Sequence, residues 1–303
     1  MIAMMKKTAL IIVLCILCSV FACGYAETAA PAQSVPLSGV RNARELGGYR
    51  TENGKTVRQG VLLRTAKLSG ATDEDIRVLT EDYHLAEIID FRGDMEIESF
   101  PDPDMEGVTN LNVQIIGGEM ALPEEMQAEM EELASQEGEI DKMARLRLGL
   151  KYNTFSDQMY VDFLSADAGK AGYRQFFTEL LALPAGRSVL FHCSEGKDRT
   201  GCAAMLLLFA LGADEETVME DFLLTNVYNA DLIEADRLQL KEAGFTEEDM
   251  ESCLPFLDQV SPAFLKNAIT WMTENYGSPL GYITGELGMT EADFSALRNK
   301  FLE

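Results

Sequence analysis

The chain has 303 residues, 47% hydrophobic and 25% charged, which suits one large or two small globular domains and excludes extended disorder. Its 50 acidic side chains outnumber 25 basic ones, for a net charge of −25. That balance argues against nucleic-acid binding, which calls for a basic face, and against electrostatic docking on anionic membranes.

In chain order, Lys6 and Lys7 precede a short apolar run at 8–22, the pattern of an export signal. The run falls short of the ~20 residues of a stable membrane span. Small residues at Gly24 and Ala26 place signal-peptidase cleavage after Ala26. The rival is lipoprotein processing, with a lipid anchor at Cys23 after Ala22, against which Phe21 counts; an uncut anchor ranks third. Residues 1–26 therefore read as a signal peptide and 27–38, rich in Ala, Pro, Ser and Thr, as a linker. Residues 39–303 read as one domain, secreted or otherwise extracytoplasmic. Without Lys6 and Lys7, 23 basic side chains face 50 acidic ones.

The Gly47-Gly48 pair marks a tight turn or a close backbone approach, and Asn53-Gly54 suits a type I′ hairpin turn. Short apolar runs at 61–64, 86–92 and, more weakly, 111–116 predict strands. Thr72 caps a helix to about Tyr83, with Asp73, Glu74 and Asp75 against its positive end. Strand, helix and strand in this order predict an α/β fold, a central mainly parallel sheet flanked by helices. Residues 123–150 are acidic and Met-rich, with Met126, Met130 and Leu133 on one helical face. They read as one or two inserted amphipathic helices, either a plain surface pair or a lid offering methionines to a substrate. Helices are expected at 154–165 and 171–183. After 211 the chain reads as helical throughout: 214–224, 227–243, 246–254, 262–275 and 290–302. Gly212, Gly244 and Gly277 fall just past helix ends.

Between these parts lies Ser188-Val189-Leu190-Phe191-His192-Cys193-Ser194-Glu195-Gly196-Lys197-Asp198-Arg199-Thr200-Gly201. An apolar strand enters a loop, and the loop enters an apolar helix at 202–211. A cysteine, five spacers, an arginine and a hydroxyl are what a thiolate needs to attack phosphorus. Unpaired N–H groups from Ser194, Glu195, Gly196, Lys197, Asp198 and Arg199 can curl around a tetrahedral oxyanion at a helix start. Gly196 permits the curl, and the Arg199 fork matches two phosphate oxygens. Thr200 can donate to the sulfur as it leaves.

Cys193 would be the nucleophile, and no metal or cofactor is required. The general acid is Asp198 or, ranked lower, Asp90 at a strand's C-terminal end; Asp94 ranks well below both. Asp90 could equally pair with Arg44, Arg64 or Arg92. His192 reads as a buried hydrogen-bonding residue that fixes the loop. With His84 it is one of only two histidines, too few for a histidine-rich zinc site. A serine-hydrolase triad, which needs a histidine base, is close to excluded by the same count. Outside the signal only Cys193, Cys202 and Cys253 remain, which is no disulfide framework.

His192-Cys193-x-x-Gly196-Lys197-Asp198-Arg199-Thr200-Gly201 resembles the loop of the bacterial tyrosine-phosphatase family with the HCxxGKDRTG signature. Upstream, Asn42-x-Arg44-x-Leu46-Gly47-Gly48-Tyr49 resembles that family's NxRDLGGY segment, with Glu45 in place of Asp. Arg64-Thr65-Ala66-Lys67-Leu68 and Ile89-Asp90-Phe91-Arg92 are similar to its RSGxL and IDLR segments. Asp221-Phe222-Leu223-Leu224-Thr225-Asn226 is similar to its DYLLTN helix. The likeness spans about 38–230. It implies a cysteine-phosphatase fold, Cys193 as nucleophile and Arg199 as phosphate binder, with His192, Gly201 and Arg44 supporting the loop. It also implies a phosphorylated protein or phosphoinositide as substrate. Lys197 would either meet an additional phosphate or merely pair with Asp198 or Glu195. A catalytically silent phosphate-binding or adhesion module and a rhodanese-like sulfur transferase are the alternatives.

Overall fold

The structure is a computed structural model and describes residues 34–115, 122–137 and 140–303. The expected signal, 1–26, and the linker through residue 33 lie outside the described residues.

A mixed five-stranded sheet forms the middle layer. Its strands are β1 (Arg44–Glu45), β2 (Leu62–Thr65), β3 (Leu85–Asp90), β4 (Thr109–Asn112) and β5 (Ser188–His192). Their order is β1-β2-β5-β3-β4, with only the β1–β2 pair antiparallel. Central β5 is buried at all five positions, as a parallel strand covered on both faces must be. Side-chain alternation divides it between two cores. Val189 and Phe191 join the larger cluster and Leu190 the smaller. Leu62 and Leu63 divide in the same way, as do Ile89 and Ile88. Polar, largely exposed β4 closes one edge.

The helices among the described residues are, in chain order, α1 (Asp73–Arg77), α2 (Asp94–Ser99), α3 (Glu124–Glu137), α4 (Lys142–Lys151), α5 (Met159–Ser165), α6 (Asp167–Ala182) and α7 (Asp198–Leu211). There follow α8 (Glu215–Tyr228), α9 (Ala230–Glu242), α10 (Glu247–Cys253), α11 (Pro262–Tyr276), α12 (Pro279–Gly285) and α13 (Glu291–Phe301). α7 is apolar nearly all round and lies within the larger core, the position such a helix requires. Phe176 of α6 packs edge-on against Phe91 and Phe191, with ring centroids 5.5 and 5.1 Å apart.

Several expectations shift. Thr72 caps α1 in a capping box with Asp75, but a π turn at Val78–Asp82 replaces the last α turns before Tyr83. The Asn53-Gly54 turn is not type I′, because only Gly54 has a positive φ. It closes instead through Gly54 N–H donating to the Thr51 carbonyl. Residues 34–38, expected in the linker, belong to the folded body: Ser34 bridges to Arg44, and Val35 is buried in the smaller core. The insertion is a helix pair. α4 sets Leu146 against Leu240, Phe245, Met250 and Leu254 of the helical tail, and Lys151 of α4 pairs with Glu129 of α3.

Candidate active site

Strand β5 delivers Cys193 to the C-terminal edge of the sheet, and α7 begins five residues later. Gly196 makes the intervening loop: its φ is +65°, and a Cβ there would collide with the Thr65 carbonyl of β2. Only glycine meets both demands. The loop is braced from outside. Asn42, itself left-handed at φ +53°, donates from Nδ2 to the Gly196 carbonyl at 3.0 Å, and Arg64 Nη2 donates to it at 2.9 Å. Lys67 N–H donates to the Ser194 carbonyl at 3.1 Å.

Arg44 and Arg64 are both fully buried and share the carboxylate of Asp221 on α8. Arg44 also donates to the Thr225 hydroxyl and holds Asn42 Oδ1. The Asp-x-x-x-Thr pattern of α8 is thus the far anchor of the loop. Burial and the neighbouring Arg44 lower the Arg64 guanidinium to about 10, against the pull of Asp221. Asp221 offsets one of the two positive charges, so Arg44 and Arg64 both brace the loop and leave a net positive charge behind it.

The arginine inside the loop has a different partner. Arg199 donates from Nη1 to Glu96 Oε2 and from Nη2 to Glu96 Oε1, both at 2.7 Å, and the Ser194 hydroxyl donates to the same carboxylate. Glu96 in turn accepts the Gly93 N–H at 3.0 Å as the N-terminal brace of α2. Burial opposes ionisation of Glu96, but the hydrogen bonds from Arg199 and Ser194 prevail and hold its carboxyl down at about 2. Burial likewise works against the Arg199 charge and the Glu96 fork outweighs it, raising Arg199 above the ordinary guanidinium range. An end-on fork of this kind fixes the guanidinium plane and leaves the Nε edge available.

Of the two roles open to Asp90, the structure shows the ion pair, with Arg92. It is buried, and Arg92 grips it through Nε at 3.0 and 3.1 Å, Nη2 at 2.9 Å and its own N–H at 3.0 Å. A carboxylate so engaged cannot approach a leaving group. Arg92 also reaches Asp102 at 2.8 Å. Asp102 lies 3.0 Å from Nε2 of His192, whose Nδ1 is 3.1 Å from the Cys193 carbonyl. Asp90, Asp102 and His192 are close enough together to hold a cation; the Arg92 guanidinium already sits against both carboxylates and offsets one of their two charges. Asp94 is exposed and accepts from Gln114.

Asp198 opens α7 half-buried and accepts a 2.9 Å hydrogen bond from the Tyr160 hydroxyl. Burial and the adjoining Asp198 push the Tyr160 phenol well above its usual range, so it remains a donor. Lys197 does not line the mouth. It is buried and caps the Pro255 and Gln259 carbonyls at 2.8 and 3.1 Å, with Asp198 at 3.8 Å. Glu195 faces outward between Arg41 and Lys67. The Thr200 hydroxyl is buried and makes no hydrogen bond, so the expected donation to sulfur is not seen. Gly201 packs its backbone against the Phe222 ring, 3.3 Å from where a Cβ would stand. Burial raises Cys202 beyond the usual thiol range and Cys253 to about 11. Both stay thiols.

A profile of the tyrosine phosphatase family matches residues 35–303, the whole of the folded body from Val35 onward. The chain belongs to the tyrosine phosphatase family. Among its relatives is a putative tyrosine-protein phosphatase of Cupriavidus necator, 28% identical over 266 residues, covering 87% of this chain and 86% of the relative. The triple specificity protein phosphatase PtpB of Mycobacterium tuberculosis is 30% identical over 148 residues, covering 43% of this chain and 53% of that protein. The chain is therefore a phosphatase, and the sulfur-transferase and silent-module readings are set aside. Sequence reasoning missed Glu96, Tyr160 and Asp102, and it named Asn42 only as part of a motif. For Glu96 a signal existed, a carboxylate six residues beyond a strand-end Asp-x-Arg, but nothing local tied it to Arg199 a hundred residues away.

Proposed function

We propose that this phosphatase hydrolyses phosphate monoesters, phosphotyrosine foremost, through a phosphocysteine. The Cys193 thiolate attacks phosphorus and the ester P–O bond breaks. Asp198, steered by Tyr160, protonates the departing oxygen. Water then attacks the phosphocysteine, Asp198 takes its proton, the P–S bond breaks, and phosphate and thiolate are regenerated. Arg199 and the loop amides stabilise the transferring group in both steps. The observation that carries this reading is the Glu96–Arg199–Ser194 cluster beside Cys193, which holds a guanidinium and a hydroxyl ready at one anion-binding loop. Quenching a reaction with p-nitrophenyl phosphate in acid and digesting the protein should reveal one phosphoryl group on the Cys193 peptide. A phosphorylated peptide elsewhere, or none under burst conditions, contradicts the mechanism.

The phosphoinositide reading loses its motive with Lys197 buried, although the likeness to a triple specificity protein phosphatase keeps substrates other than phosphotyrosine within range. Parallel rates on phosphotyrosine, phosphothreonine and inositol-lipid phosphates decide among them, and a lipid rate above the tyrosine rate overturns the ranking. The signal at 1–26 supports export. N-terminal sequencing of the processed protein should begin at Glu27, and acylation at Cys23 would establish the anchored form instead.

A further inference from the structure

We propose that the end of the sheet opposite the reactive loop carries an anion site for a compact, multivalent oxyanion. A cavity of about 310 Å³ lies there, lined by Arg58, Arg187, Asn299, Lys300 and the turn through Pro184 and Gly186, with no acidic residue on its wall. In a protein of net charge −25, three cations around one cavity without a carboxylate among them is an arrangement that needs a reason. None of the three makes an ion pair among the described residues. Each is held by backbone carbonyls instead. Arg58 Nε donates to Leu302 at 3.0 Å, and Arg187 donates to His84 and Leu85 at 2.9 and 2.8 Å. Lys300 Nζ donates to Leu180 and Leu183 at 3.1 and 2.7 Å.

Carbonyls fix the position of a cation but leave its charge in place. The result is a preorganised positive pocket, the condition for strong anion binding. The carboxyl that Lys300 feels beyond the wall is Glu87; burial lowers the lysine somewhat, and burial and Glu179 raise Glu87 to about 7, so at neutral pH Glu87 cancels only part of the lysine's charge. Asn299 adds an uncharged donor. Arg187 directly precedes β5, whose other end carries Cys193. At ~3.3 Å per residue the pocket stands roughly 15 Å or more from the loop, too far for one ligand to occupy both. Phosphate fits the pocket, as does a small polycarboxylate; both present clustered oxyanions of the right size.

Amide NMR titration of the full chain at constant ionic strength tests the proposal, with orthophosphate, pyrophosphate and citrate as probes. Saturable shifts at Ala185, Gly186, Arg187 and Asn299 are expected, separate in midpoint from any at Ser194 to Arg199. Arg58→Gln should weaken binding at the distal amides about tenfold or more, Arg58→Lys much less, and neither should change the rate on p-nitrophenyl phosphate. Tighter pyrophosphate than citrate identifies a phosphate ligand, and the reverse order a carboxylate one. Linear, unsaturable shifts, or the same midpoint in wild type and Arg58→Gln, overturn the site.

Discussion

Glu96 bears most directly on how Arg199 is presented, and it sits on a helix that composition does not announce. Glu96→Gln keeps the shape and removes the charge that fixes the guanidinium. We expect kcat/KM to fall on the order of 100-fold, the cost of a misplaced binding group, with little loss of thermal stability. An unchanged rate would make the fork ornamental. Asp198→Ala should slow hydrolysis of phenyl phosphate by about 10²–10⁴, and that of p-nitrophenyl phosphate, whose leaving group needs little protonation, far less. Equal losses on both would remove Asp198 as the acid. Cys193, Arg199 and Asp198 were legible because chemistry demands those residue types within one short loop. The sequence already ranked Asp198 above Asp90, but the geometry that supports the ranking was not legible: it depends on Arg92 folding back on Asp90 two residues away, and on Tyr160 arriving from α5. Of the two roles open to Lys197, the pairing with Asp198 is the one seen, at 3.8 Å; its carbonyl acceptors were not legible, since they lie in a turn some sixty residues downstream.

Among the elements, α1 shows how a local signal serves a distant purpose. Asp75 belongs to its capping box, yet it also accepts the Ser38 and Gly39 N–H groups at 2.7 and 2.8 Å, tying the start of the folded body to α1. Burial would raise its carboxyl, but these N–H donors win and hold it at about 2. Its folded value lies below the unfolded one, so the stabilisation is complete above about 4 and is lost as pH falls toward 2. Asp75→Asn should cost about 1–3 kcal/mol at pH 7 and much less at pH 2. A loss independent of pH would assign the effect to shape alone. The strands and long helices were legible from apolar runs and caps. The strand at Thr109–Asn112 starts two residues before the expected run at 111–116 and ends well short of its end, because an exposed edge needs no apolar pattern. Six-residue α2 has no buried residue to mark a periodicity, and its only cue is Gly93 followed three residues later by Glu96.

On the scale of the whole molecule, the α/β architecture was legible from element order, and the acidic surface from composition. The surface contains local exceptions that composition averages away, the carboxylate-free cavity at Arg58 and Lys300 among them. Glu87 is another: burial first, then Glu179, raise its carboxyl to about 7, and its Oε1 has no hydrogen-bond partner. A carboxyl raised in the folded state costs nothing below about 4, and stability falls as pH climbs from there through 7. Glu87→Gln should therefore raise Tm at pH 8 and leave it unchanged at pH 4. A gain at both pH values would attribute the effect to packing.

The central claim, that one thiolate in the loop at the end of β5 carries the reaction, is tested most directly by the rate of p-nitrophenyl phosphate hydrolysis in the presence of a metal chelator, for wild type and Cys193→Ser. The account predicts full wild-type turnover under chelation and a loss of at least about 10³ in the variant. Comparable rates in the two proteins, or activity that returns only with added metal, would contradict it.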